Sequence, residues 1–328
     1  MTRPERLLTV EEMCLHIDTY RGTVRAVDGV TFHVDQGESV GIVGESGSGK
    51  SMTALSLMRF TPLAGRFTAG SAMFQGRDLL KLSEREMRKI RGKDISMVFQ
   101  DPMTFLNPLI RIGDQIGEVL VEHEGLSRRA AFNRAVEVLR QVRIPSPEDV
   151  AAQYPHQLSG GMRQRALIAM AIIGAPSLLI ADEPTTALDV TVQAQIIELL
   201  RGVKEKHGLS LLMITHDLGI VAHVCDRVYV VYAGRIMEEA GVFEVFETPR
   251  HPYTTALLSS ITYDEESGDG IGYIEGTVPS LIDPPEGCRF HTRCPAAMPV
   301  CRRLQPPRTR VSETQSVYCW LYEEAQDE

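Results

Sequence analysis

The sequence predicts an α/β protein, a parallel sheet gathered around a phosphate-binding loop, on three observations. Gly44-Glu45-Ser46-Gly47-Ser48-Gly49-Lys50-Ser51 fits G-x-x-x-x-G-K-[ST]. It stands between a short buried-type segment, Glu38 to Val43, and a stretch from Met52 to Arg59 that lacks Pro and Gly and reads as a helix. Leu178-Leu179-Ile180-Ala181 is apolar on both faces, as central parallel strands are, and delivers Asp182-Glu183 at its carboxyl end. Leu211 to Thr215 is a further strand that ends at His216-Asp217.

Each element has a physical reading. The loop glycines let backbone N–H groups turn inward on a polyphosphate, and the helix N-terminus adds the positive end of its dipole. Lys50 then reaches the β- and γ-phosphates while the Ser51 hydroxyl binds Mg²⁺. The candidate nucleotide contacts run from Gly44 through Glu45, Ser46, Gly47, Ser48, Gly49, Lys50 and Ser51 to Met52 at the helix head.

Composition sets the frame. The 328 residues are 43% hydrophobic and 23% charged, ordinary for a soluble globular protein, and allow one large domain plus a small one. A net charge of −9 weighs against a nucleic-acid partner, which needs clustered Lys and Arg. Met1 to Arg6 lacks the apolar core of a signal peptide, so the expectation is a chain that is not exported. The longest apolar run, Ala166 to Ala175, is followed by Pro176-Ser177 and is too short to span a bilayer. Work at a membrane would go through other subunits.

From Glu12 to Val34 the pattern is short strands, 13–17, 24–27 and 30–34, punctuated by Gly22, Gly29 and Gly37. They predict an antiparallel flap ahead of the loop. Tyr20 on that flap is either a ring that stacks on a nucleotide base or a turn tyrosine. Ile95 to Phe99 is a strand ending in Gln100, which offers an amide to a metal or an attacking water; Gln before Asp101-Pro102 is also ordinary turn chemistry.

Between Pro108 and Pro155 apolar residues recur at helical spacing, Ile112, Ile116, Val119 and Leu120, then Val136, Leu139 and Val142, so a helical lobe is inserted here. Ser159-Gly160-Gly161 heads the helix Met162 to Ile173 and forms a second phosphate-binding helix N-terminus, or a common turn if read alone. Asp182 is placed to hold Mg²⁺ through water, and Glu183, across the strand pleat, to polarise the attacking water as general base; the bland reading of the pair is a helix cap. Asp189 closes the following loop, before a helix from Thr191 to Lys206 whose buried stripe is Ile196, Ile197, Leu200 and Val203 and which Gly208 ends. His216, at the edge of the same sheet, is a γ-phosphate contact or a structural histidine.

In order, Gly44 to Ser51, Gln100, Leu158 to Met162, Leu178 to Glu183, Ala187-Leu188-Asp189 and His216 resemble the P-loop, glutamine loop, signature, Walker B, D-loop and switch histidine of the ABC transporter ATPases. Within that family the chain is similar to the oligopeptide and dipeptide permease ATPase subunits, on residues 99–103, 154–165, 181–195, 215–219 and His251-Pro252-Tyr253-Thr254. Phe105 stands where small residues are usual, and Tyr20 fits its family position loosely. The resemblance implies an ATPase domain over 1–250 with a helical subdomain at about 102–172, and an extension over 251–328.

It also implies ATP and Mg²⁺ as ligands, with Ser51, Gln100 and Asp182 at the metal and Lys50, Gln100, Glu183 and His216 in hydrolysis. Ser159, Gly160, Gly161 and Asp189 would serve a nucleotide sandwiched head to tail between two ATPase subunits. The implied partners are a paralogous ATPase subunit in a heterodimer, two transmembrane permease subunits and, indirectly, an extracytoplasmic substrate-binding protein. The location is peripheral, at the cytoplasmic face of the membrane. Peptide is the implied cargo, with nickel as the alternative. A soluble ABC ATPase acting on ribosomes or DNA would carry two ATPase domains or a long coiled coil. A pure nucleotide sensor would not need Glu183 together with His216.

After the acidic linker Tyr263 to Gly270 comes a Pro-rich tail with Cys288, Cys294, Cys301 and Cys319. A segment this poor in large apolar residues needs a staple, and in a reducing cytosol four thiolates supply one better by metal than by disulfide. The spacing is not the tight C-x-x-C of zinc knuckles. Similar tails in some dipeptide-importer ATPases resemble a four-iron, four-sulfur (4Fe-4S) site, which is the favoured reading over Zn²⁺ or unligated thiols. Cys14 and Cys225 read as core residues, and His291 as a loop residue.

Overall fold

In a computed structural model of the chain, residues 5–186, 188–260 and 274–323 are described. Ala187 of the expected D-loop and the acidic linker 263–270 lie outside them. The chain divides into two compact units, one holding Asp35–Glu38 and Lys81–Met213, the other Arg6–Val34, Ser39–Leu80 and Ile214–Glu328.

In the first unit, strand Ile95–Val98 pairs in parallel with Leu178–Asp182, in the register Ile95↔Leu178 to Val98↔Ala181, and Ser210–Thr215 follows in the same run. All three strands are buried along their whole length, which is why they carry no polar alternation. The lobe consists of helices Ile112–Glu124, Arg128–Gln141, Pro147–Ala152 and Gly160–Ile172. Its first two helices meet closely: a Cβ on Gly113 would lie 2.6 Å from the Phe132 ring, and one on Gly117 3.0 Å from the Ala131 backbone. Ala131, Ala135 and Leu139 bury the facing stripe.

The second unit begins with the flap, which is more regular than the sequence suggests. Two 14-residue strands, Arg6–Thr19 and Gly22–Asp35, replace the expected short ones, and Gly65–Phe74 and Arg77–Asp78 complete a four-stranded sheet. The apparent break near Gly29 is a local kink within a continuous strand, since Gly29 takes φ +74°. A second run places Ser39–Val43 in parallel beside Arg227–Tyr232, followed by Arg235–Gly241, Ser316–Val317 and Thr309–Arg310.

Strands 65–74, 227–232 and 235–241 had no counterpart in the sequence expectation. Ala233 and Gly234, at φ +48° and +81°, make the two-residue turn that joins the last two of them. The tail docks through polar chemistry. Glu238, fully buried, accepts the N–H groups of Arg250 and His251, each at 2.9 Å, and Gln315 Nε2 at 2.8 Å. A buried carboxylate is tolerable only when satisfied in this way. No helix among the described residues is long and apolar enough to cross a membrane.

Candidate nucleotide-binding and catalytic site

The loop after Val43 takes a shape that only glycine permits at its two ends. Gly44 sits at φ +153°, where a Cβ would lie 2.1 Å from the Val231 carbonyl oxygen; Gly49 sits at φ +99°, 2.5 Å from that of Ala26. Gly49 caps helix Lys50–Leu57 and has no side chain with which to accept from its first-turn N–H groups. Lys50 is almost wholly buried and curls back over the loop. Its Nζ donates to the Gly44 and Glu45 carbonyl oxygens at 2.8 and 2.9 Å.

Ser48 Oγ is buried with no hydrogen-bond partner among the described residues, and Ser51 and Met52 are half-buried at the helix head. A loop bounded by two positive-φ glycines, one enclosed ammonium and an orphaned hydroxyl fits a polyphosphate and its metal. Tyr20, 90% exposed, lies in the flap turn with the Arg21 guanidinium 5.2 Å from its ring centroid. It is therefore a solvent-facing ring with no packing role of its own. His216 is exposed just past Thr215, and Asp217 caps the next helix by accepting from the N–H groups of Gly219 and Ile220 at 2.8 and 3.2 Å.

In the first unit, parallel register brings two candidates level. Because Val98 faces Ala181, Gln100 and Glu183 each stand two residues past the pair, and Gln100 Nε2 donates to Glu183 Oε2 at 3.2 Å. Thr186 Oγ1 donates to the same oxygen at 2.8 Å. Glu183 takes φ +44°, an unfavourable backbone for a non-glycine residue, costing on the order of 1 kcal/mol, that turns the chain directly after the strand. Asp182, one residue earlier, is buried at 5% exposure. Phe105 stacks on Phe99 with ring centroids 3.7 Å apart.

Ser159 caps Gly160–Ile172 by accepting from Met162 N–H, and it and Gly160 are exposed. Asp189 likewise caps Val190–His207, accepting from Val192 N–H at 3.0 Å, each cap being worth about 1 kcal/mol. A capping role thus stands beside the expected contact role at both positions.

The tail cysteines are gathered. Cys288, Cys301 and Cys319 are buried and Cys294 is half-buried. The Cys288 N–H donates to the Cys301 carbonyl oxygen at 2.8 Å. Burial pushes the Cys288 thiol up to about 11, against the Phe290 N–H, with Cys301, Cys319 and Cys294 all adding to the rise. Burial raises Cys294 and Cys319 as well, against the N–H groups of Ala296 and Leu321. Among the described residues, no group of three or more His, Cys, Asp or Glu is arranged to hold a metal ion.

Sequence reasoning missed Thr186 on Glu183 and two residues on the phosphate loop. Glu45 donates its N–H to Tyr253 Oη at 2.9 Å, and its carboxylate accepts from Arg293 Nη1 at 3.1 and 3.0 Å. Tyr253 had a signal in His251-Pro252-Tyr253-Thr254; Arg293 had none.

A glycine loop that encloses a lysine, together with a strand-end acidic pair whose glutamate carries a glutamine, defines a P-loop ATPase. A family model described as ABC transporter matches residues 27–186, and one described as oligopeptide/dipeptide transporter, C-terminal region, matches residues 237–301. The oligopeptide transport ATP-binding protein OppD of Bacillus subtilis (strain 168) is 52% identical over 323 residues, covering 98% of this chain and 90% of that protein. The dipeptide transport ATP-binding protein DppD of the same organism is 50% identical over 321 residues, covering 98% and 96%. Among solved structures, the ATP-binding cassette MJ0796, in a dimeric post-hydrolysis state bound to ADP and Pi, matches with a TM-score of 0.65 and 27% identity over 72% of this chain and 98% of that one. The chain belongs to the ABC transporter ATP-binding proteins, in the group that carries the oligopeptide/dipeptide C-terminal region.

Proposed function

We propose that this chain hydrolyses ATP to power import of di- or oligopeptides across a cytoplasmic membrane, at whose inner face it sits. The observation that carries the cargo class is likeness to oligopeptide and dipeptide transport proteins over 98% of the chain, the C-terminal region included. The working parts are an ATPase domain over 1–250, with its helical subdomain at about 102–172, and an extension over 251–328. Two permease subunits, a paralogous ATPase and an extracytoplasmic binding protein complete the assembly.

Lys50 and the loop N–H groups hold the phosphates; Ser51, Asp182 and Gln100 would hold Mg²⁺, which when bound would neutralise charge on the phosphoryl oxygens. Glu183 accepts the proton of the attacking water, held in aim by Gln100 and Thr186. His216 contacts the γ-phosphate, and Tyr20 stacks on the base. Ser159, Gly160, Gly161 and Asp189 serve the nucleotide whose P-loop belongs to the partner. Uptake of labelled peptide into vesicles carrying the assembled complex tests the reading. ATP-dependent uptake of nickel in place of peptide would overturn the cargo.

The tail thiols, Cys288, Cys294, Cys301 and Cys319, form the ligand set of a 4Fe-4S cluster with a structural role. Support comes from the crowding of four cysteines into one short segment, three of them buried and one half-buried. Anaerobic purification followed by iron, sulfide and zinc analysis decides it: iron and sulfide near four each per chain support the cluster, and one zinc or no metal overturns it.

A further inference from the structure

The phosphate loop is held from outside by the C-terminal extension. Glu45, the second loop residue, is fixed at three points: its carbonyl oxygen accepts from Lys50 Nζ, its N–H donates to Tyr253 Oη, and its carboxylate accepts two contacts from Arg293 Nη1. Tyr253 is fully buried and aimed by its own helix cap, since His251 Nδ1 accepts the Tyr253 N–H at 3.0 Å. The Arg293 side chain is only 5% exposed. Besides Glu45 it donates to Tyr232 Oη at 3.2 Å and to the carbonyl oxygens of Glu275 and Ile274 at 2.8 and 2.9 Å.

A second arginine reaches the other end of the loop. Arg289, 2% exposed, pairs with Asp28, which also pairs with Arg235 at 2.9 Å. The Asp28 N–H donates to the Gly234 carbonyl oxygen at 2.9 Å, and the Gly234 N–H donates to that of Ser48 at 2.8 Å. Arg289 follows Cys288 and Arg293 precedes Cys294, so the cysteine-bearing loop carries both braces. A bidentate-capable, buried guanidinium on a carboxylate fixes geometry as well as charge.

We propose that Arg293 and Tyr253 are positioning residues for nucleotide binding, which hold Glu45, and through it the Lys50 anchor, in the phosphate-receiving shape. The extension is thereby part of the nucleotide site of its own chain. This rests on the ATP-binding reading but not on the identity of the cargo, nor on what the cysteines hold.

The test is MgATP affinity of the full-length chain, measured by calorimetry beside a thermal melt. Arg293→Gln is expected to weaken binding about tenfold, the size of one lost charge-assisted contact. Arg293→Lys should fall between it and the parent, and Arg303→Gln, an exposed arginine of the same tail, should change nothing. In the double variant with Glu45→Gln, Arg293→Gln should add little, because both remove one contact. In the assembled complex KM for ATP should rise with kcat retained. Unchanged affinity in a folded Arg293→Gln chain, or fully additive losses with Glu45→Gln, overturns the proposal. If Arg293→Gln does not fold, the lysine variant and Tyr253→Phe decide it, unchanged affinity in both being the overturning result. Absence of ATP-dependent peptide uptake by the parent complex, with the affinity losses above still observed, would count against the transport reading alone.

Discussion

Gln100 Nε2 lies 3.2 Å from Glu183 Oε2, a contact made by two residues 83 apart in sequence and level in a parallel register. With Thr186 Oγ1 on the same oxygen, the Glu183 carboxylate is held in one orientation as an acceptor. A neutral amide at 183 keeps the shape and cannot take a proton. Glu183→Gln is therefore expected to bind MgATP normally and to lose about 10²–10⁴ in turnover of the assembled complex. Lys50→Ala should do the reverse and weaken binding first. Near-normal turnover of the Glu183 variant would remove it from the base role.

Gln100 orients rather than reacts with Glu183, so its loss should be milder. In Gln100→Ala the Thr186 contact remains, and kcat is expected to fall about tenfold, the cost of one lost hydrogen bond. Single-turnover hydrolysis of bound ATP isolates that step. A deficit as large as that of Glu183→Gln would mean that the metal contact of Gln100 outweighs its hold on Glu183.

Assembly should control activity. If each nucleotide needs Ser159 and its neighbours from a second chain, the purified subunit is expected to hydrolyse ATP slowly and more than linearly with concentration. Specific activity measured over a hundredfold dilution series is the check. Strong activity that dilution leaves untouched would refute the sandwich. Ser159→Arg should then spare ATP binding by its own chain while inactivating the partner's site.

Two histidines give stability a pH dependence. Burial holds His251 down to about 3, and burial with the Arg227 guanidinium holds His33 down to about 3. Both are neutral in the fold and protonate more readily once unfolded, near 6.5. The stabilisation is complete above the unfolded value and is lost as pH falls from 6.5 towards 3, because the unfolded chain then binds more protons. Each histidine contributes a slope of up to about 1.4 kcal/mol per pH unit in that window. Urea midpoints at pH 8 and pH 5.5 should differ accordingly, and His251→Gln should flatten the dependence if it folds. An unchanged midpoint would place both rings in water.

The amino-acid sequence by itself determined the phosphate loop, the buried strands at 178–181 and 211–215, the helical lobe and the gathering of cysteines in the tail. Each rests on local chemistry: a glycine spacing, an unbroken apolar run, a period of three to four, a composition shift. Only the tertiary structure decided the rest. The flap strands run through Gly29 because tertiary pairing overrides a local breaker, and strands 65–74, 227–232 and 235–241 exist through their neighbours. The approach of Arg293 to Glu45 spans 248 positions and has no period, motif or spacing to announce it. Which cation reaches which carboxylate depends on where two distant segments are brought by packing, and that is set by the whole fold, not by either segment.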